Sequence, residues 1–177
     1  MNRILSLTAL GLALVGAGFT TLSAEAASRR VVHGNADGGV TASAVTARQG
    51  ASGAAVGGRA VRTDGQGNAT AVSGSAVKGV NGGGAARAGK TTVAADGSAT
   101  HQSGVAAQSA KGSVESSGSA SRDASGNVTQ ARSSTATSAA TGNTMNTSSA
   151  YSKDTGVTRS ASCYNASGAS IACPTRP

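Results

Sequence analysis

Thr41, Thr70, Thr100, Thr129 and Thr158 recur at intervals of 29, 30, 29 and 29 residues. A fixed period of about 20–50 residues marks one supersecondary unit stacked on copies of itself, so it constrains the fold before any other feature. Each of these threonines follows an aspartate: Asp37, Asp64, Asp96, Asp123 and Asp154. The aspartates are spaced unevenly, 27, 32, 27 and 31 residues apart, and precede their threonines by four, six, four, six and four residues. Short and long turns are therefore expected to alternate. Turns absorb length changes, whereas a strand that slips by one residue exchanges its two faces. The near-constant period accordingly belongs to strand starts at the five threonines, and the aspartates to the turns before them.

A second set of chain breakers falls near the middle of each unit: Gln49 to Gly53, Asn81 to Gly84, Lys111-Gly112, Thr141-Gly142-Asn143 and Asn165 to Gly168. Each unit thus reads as strand, turn, strand, turn. Helix is disfavoured, because Ser, Thr and Gly dominate and no apolar stripe recurs at helical spacing. The expected fold is all-β: a repetitive antiparallel meander or β-solenoid with thin Ala/Ser/Gly layers. The alternative is a chain largely disordered in isolation that pairs into sheets on association. When the units are aligned on Thr the valines share no column, so this alignment assigns no buried face.

Composition explains why layers must be thin. From Ala27 onward the chain has 151 residues, of which 32 are Ala, 24 Ser, 23 Gly and 16 Thr. The large apolar side chains there are 14 Val, Ile171, Met145, Tyr151 and Tyr164. Val and Ile make up about 10% of this stretch, half the level of roughly 20% below which chains lack material for a core. A compact enzyme built round one thick core is excluded. Cohesion must come from backbone ladders between close-packed sheets or from neighbouring molecules.

The first 26 residues have another character. Arg3 gives a positive start, Ile4 to Phe19 is apolar apart from small residues, and Ala24-Glu25-Ala26 offers small residues at a cleavage site. This is the three-part pattern of a secretory signal peptide, residues 1–26, and the apolar run is shorter than the ~20 residues of a membrane span. Export to an extracellular, cell-surface or periplasmic location is expected, with no membrane span after signal removal. The expected division is then an N-terminal tail at 27–36, a β-repeat region at 37–162, a disulfide-closed hairpin cap at 163–173 and a C-terminal tail at 174–177. Cys163 and Cys173 flank a turn-forming Asn-Ala-Ser-Gly, and an oxidising compartment would join them.

Catalytic and metal chemistry find little to work with. His33 and His101 have no repeated partner, no Ser sits in Gly-x-Ser-x-Gly, and Glu115 has no acidic neighbour in sequence. One Asp per unit falls short of the six to eight oxygens, several of them carboxylate, that calcium takes. No enzyme, cofactor or metal is expected.

The stretch from Ala27 carries 14 basic and six acidic residues, a net +8. Single cations dispersed along strands keep sheet edges from pairing with strangers, and they also attract polyanions. Base-stacking recognition of nucleic acid is not expected with two Tyr and no Trp. The function expected is that of a secreted structural or cell-surface and matrix repeat protein, acting by β-sheet self-association. The alternative is a flexible cationic chain that binds anionic surface polymers such as acidic polysaccharide, lipopolysaccharide or DNA.

Overall fold

The computed structural model describes residues 25–174. They form one sheet of eleven antiparallel strands in chain order, an all-β meander. The strands are β1 (Glu25–Gly34), β2 (Val40–Gly50), β3 (Gly53–Thr63), β4 (Ala69–Gly79), β5 (Gly84–Val93), β6 (Ala99–Ser109), β7 (Gly112–Arg122), β8 (Val128–Ser138), β9 (Thr144–Ser152), β10 (Gly156–Tyr164) and β11 (Ser170–Ile171). Each strand meets only the strands before and after it, so the sheet neither closes into a barrel nor winds into a solenoid. One repeat is a pair of strands. Strands of 9–11 residues at about 3.4 Å per residue, spaced about 4.8 Å apart, give a ribbon roughly 35 Å by 45 Å along the sheet.

The layer is single. Among the described residues only Gly39 and Cys163 are buried. The close-packed second sheet that composition calls for is not supplied by the described residues, which leave both faces uncovered. Cohesion within the sheet comes from the ladder, which runs without a bulge from Glu25↔Gln49 at one side to Cys163↔Ile171 at the other.

Two expectations need correcting. Residues 27–36 are not a tail: β1 covers most of them and pairs with β2 along its whole length. Arg29-Arg30-Val31-Val32 alternates faces as a strand does, and Val31 and Val32 favour extended backbone. Nor do short and long turns alternate. The loops 35–39, 64–68, 94–98 and 123–127 all have five residues between strands. The aspartate is the third residue of one loop and the first of the next, which accounts for its uneven spacing. Of the segment 1–26, all but Glu25 and Ala26 lies outside the described residues, as does most of the tail at 174–177; Glu25 and Ala26 pair with Gln49 and Arg48.

These loops share one closure. The first residue's N–H donates to the fifth residue's carbonyl, as in Asn35 to Gly39 at 2.7 Å and Asp123 to Asn127 at 3.0 Å. The fourth residue is Gly at positive φ: Gly38, Gly67, Gly97 and Gly126. A turn followed by one left-handed residue is a common way to reverse a hairpin, and Gly takes that conformation without steric cost. The Asn165–Ala169 loop at the far end repeats it, with Gly168 in fourth place.

Candidate functional site

A bulge-free register fixes which side chains share a face, because directly paired residues lie on the same side and neighbours along a strand on opposite sides. One row can be followed through every long strand: Arg30, Ala44, Arg59, Ser73, Gly89, Ser103, Gly118, Arg132, Ser149, Arg159. Parity places Arg48, Arg87 and Arg122 on that same face. Among the described residues this arginine face thus carries seven guanidinium groups and no carboxylate. It also holds nine of the strand valines, including Val61, Val77, Val105 and Val157, together with Tyr151 and Met145.

The opposite face is of different material. Thr41, Thr70, Thr100 and Thr129 all fall in one row across it, interleaved with Arg62, Thr92 and Ser121. Thr158 lies on the same face, two residues further from the strand start than that row. Near the middle runs a second row of very small residues, Gly58, Gly74, Ala88 and Gly104, continued by Ser117, Ser133, Ser148 and Ser160. Its serines pair by hydroxyl contacts, Ser117 to Ser133 at 3.1 Å and Ser148 to Ser160 at 2.7 Å. Among the described side chains, the charged groups on this threonine face are Arg29, Arg62, Lys78, Lys90 and Glu115.

All five aspartates stand in loops at one end of the strands, where odd-numbered strands turn into even-numbered ones. Four fold back on their own loops. Asp64 accepts from the Gln66 and Asn68 N–H groups at 2.8 and 3.1 Å, Asp96 from Ser98 N–H at 2.8 Å, and Asp123 from Asn127 N–H at 2.9 Å. Asp37 accepts from Gly39 N–H at 3.3 Å and from Arg62 Nη2 at 2.8 Å, the one ion pair among the described residues. These donors hold four carboxyls below the ordinary carboxylate value: first Arg62 for Asp37, the Asn68 side chain for Asp64, the Ser98 side chain for Asp96 and the Asn127 side chain for Asp123. Neighbouring loops stand two strands, about 10 Å, apart, and the described residues contain no cluster of three metal-ligating side chains.

The loops at this end also hold one another. Asn35 Nδ2 donates to Thr63 O at 3.0 Å, Ala95 N–H to Asn68 Oδ1 at 2.9 Å, and Arg122 Nη2 to Gly97 O at 2.9 Å. Of the two histidines, His101 Nδ1 lies 2.9 Å from Thr91 Oγ1 on the arginine face and His33 pairs with Thr41 on the other. Cys163 and Cys173 are bonded, with Cα atoms 5.2 Å apart, and tie the two-residue β11 against β10. No helix among the described residues is long and apolar enough to cross a membrane.

Compared with family models, curated proteins and solved structures, this chain matches none.

Proposed function

We propose that this is an exported structural repeat protein of a matrix or cell-surface layer, non-catalytic, which works by stacking its sheets on copies of itself through the threonine face. One observation carries the reading: an eleven-strand sheet in which, among the described residues, only Gly39 and Cys163 are buried. A sheet gains independent stability when a face is covered, and the described residues supply no second element to cover either one. The threonine face suits a copy of itself. Its central row of Gly and Ala, then Ser, lets two backbones approach closely, as small side chains do in dry stacked sheets. The arginine face would repel its own copy. An internal disulfide suits an oxidising compartment outside the cytosol.

Sedimentation of the full chain across concentration and salt tests this. The expected result is reversible association that persists or strengthens as salt screens the residual positive charge. A second arm replaces Gly104→Leu at the centre of the small row. Leucine suits a strand at least as well as glycine does, so the sheet should survive while the prop between faces abolishes association. A chain that stays monomeric at every concentration, or that associates equally well with Leu at 104, removes the proposal.

A further inference from the structure

We propose that the arginine face is a docking surface for a linear acidic polysaccharide carrying one carboxylate on every second sugar, laid across the strands over Arg30 and Arg59 or over Arg132 and Arg159. This does not depend on stacking, which uses the opposite face.

The first argument is uncompensated charge. None of the seven arginines on this face has an acidic partner among the described residues, since the only ion pair, Arg62–Asp37, belongs to the other side. Three of them are held without being neutralised: Arg87 Nε donates to Ser75 Oγ, Arg132 Nη1 to Ser116 Oγ and Arg122 Nη2 to Gly97 O, each at 2.9 Å. A guanidinium so placed keeps further N–H donors for a carboxylate, which it can engage in two parallel hydrogen bonds.

The second argument is spacing. Arg30 and Arg59 are separated by one intervening strand, as are Arg132 and Arg159, so each pair stands about 10 Å apart. Arg87, on the strand two beyond Arg59, lies two residues to one side of the row, within reach of a long side chain. An extended β-linked pyranose chain advances by about one strand spacing per ring, so a charge on alternate rings returns at the same interval as Arg30, Arg59 and Arg87 on β1, β3 and β5, and, in a second register, as Arg132 and Arg159 on β8 and β10. Between Arg132 and Arg159 the floor is Ser149, with Ser134 and Thr147 beside it in a shallow open depression. The hydroxyls there match the neutral sugar that falls between two carboxylates.

The same spacing disfavours nucleic acid. Duplex DNA carries one charge per about 1.7 Å of axis, several for each arginine the face offers. Single strands need aromatic platforms, and Tyr151 is the one aromatic side chain on this face among the described residues.

The test is calorimetric titration of the full chain, below its association range and at moderate salt, with a ten-sugar oligosaccharide of alternating glucuronate and N-acetylglucosamine. One variant combines Arg30→Gln, Arg59→Gln, Arg132→Gln and Arg159→Gln. A second removes equal charge from the opposite face through Arg29→Gln, Arg62→Gln, Lys78→Gln and Lys90→Gln. The first should lose at least about tenfold in affinity and the second less than about threefold, because only the first removes the paired charges. Replacing the same four arginines of the first set by Lys preserves charge and guards against misfolding, and severalfold weakening is expected from the lost bidentate contacts. Equal losses from the two Gln variants, unchanged affinity in the Lys variant, duplex DNA bound as tightly at equal salt, or no binding by the full chain would each overturn the proposal.

Discussion

Gly39 lies flat against the main chain of Thr63, so close that a Cβ at position 39 would overlap the Thr63 carbonyl. This is how the first loop packs on the second, and it makes Gly39 one of only two buried residues among those described. Gly39→Ala should therefore cost about 1–3 kcal/mol by forcing the two loops apart. Its neighbour Gly38 has open space but φ +81°, so Gly38→Ala is expected to cost about 1–2 kcal/mol through backbone strain alone. Urea titration read by far-UV circular dichroism separates them from wild type. Amide exchange should locate the first change at both loops 35–39 and 64–68, and the second at 35–39 only.

The Arg62–Asp37 pair touches the same loop yet should contribute little. The Arg62 side chain is 65% exposed, and solvent screens such exposed pairs until they contribute almost nothing. Arg62→Gln is expected to leave stability nearly unchanged while raising the Asp37 carboxyl toward its ordinary value, read by NMR titration. A large loss of stability would mean that the pair does more than its exposure implies.

Acid should loosen the aspartate end first. Asp37, Asp64, Asp96 and Asp123 have folded-state pKa values below those of the unfolded chain. Their contribution is fully present at neutral pH. It falls away as pH drops from about 4, the unfolded carboxylate value, through the lower folded values. Stability should be flat between about pH 7 and pH 5 with respect to these groups and decline below about pH 4. Asp64→Asn with Asp123→Asn should flatten that decline, followed by exchange at residues 64–68 and 123–127.

The disulfide should act locally. Closing a loop with a sequence separation of 10 constrains the unfolded chain by about 3 kcal/mol. Since β11 touches only β10, Cys173→Ser should release residues 165–173 to exchange and leave β1 to β8 protected as before. Intact mass under alkylation, with and without reductant, should show no free thiol in the native chain and two after reduction.

Much of this architecture could be read from residues, but parity carried more than columns. Aligning units on Thr scattered the valines, because their offsets differ. Counted as odd or even from the threonine of their own strand, Val40, Val77, Val105, Val128 and Val157 all fall at odd offsets, as do Arg48, Arg132 and Arg159. Only Val45 and Val72 fall at even ones. The two unlike faces were therefore partly legible in β2, β4, β6, β8 and β10. For Arg59 or Arg87 they were not, since the intervening loop decides which side the next strand presents. The aspartates misled for a related reason. A carboxylate can cap a five-residue loop from its first position, as Asp64 does, or from its third, as Asp96 does, so its spacing reports its own place rather than loop length. The strand within 27–36 was not legible because it precedes the first aspartate and carries no repeat marker, and because a strand at the margin of a sheet tolerates charges such as Arg29 and Arg30.

Because every strand leans only on its immediate neighbours, the ribbon has no keystone. Tension applied to its two ends would peel hairpins away one after another, each paying out roughly 100 Å of chain. In a layer that bears load, such a molecule yields by stages and recovers by zipping back, and changing the number of hairpins would change its reach without altering how it resists.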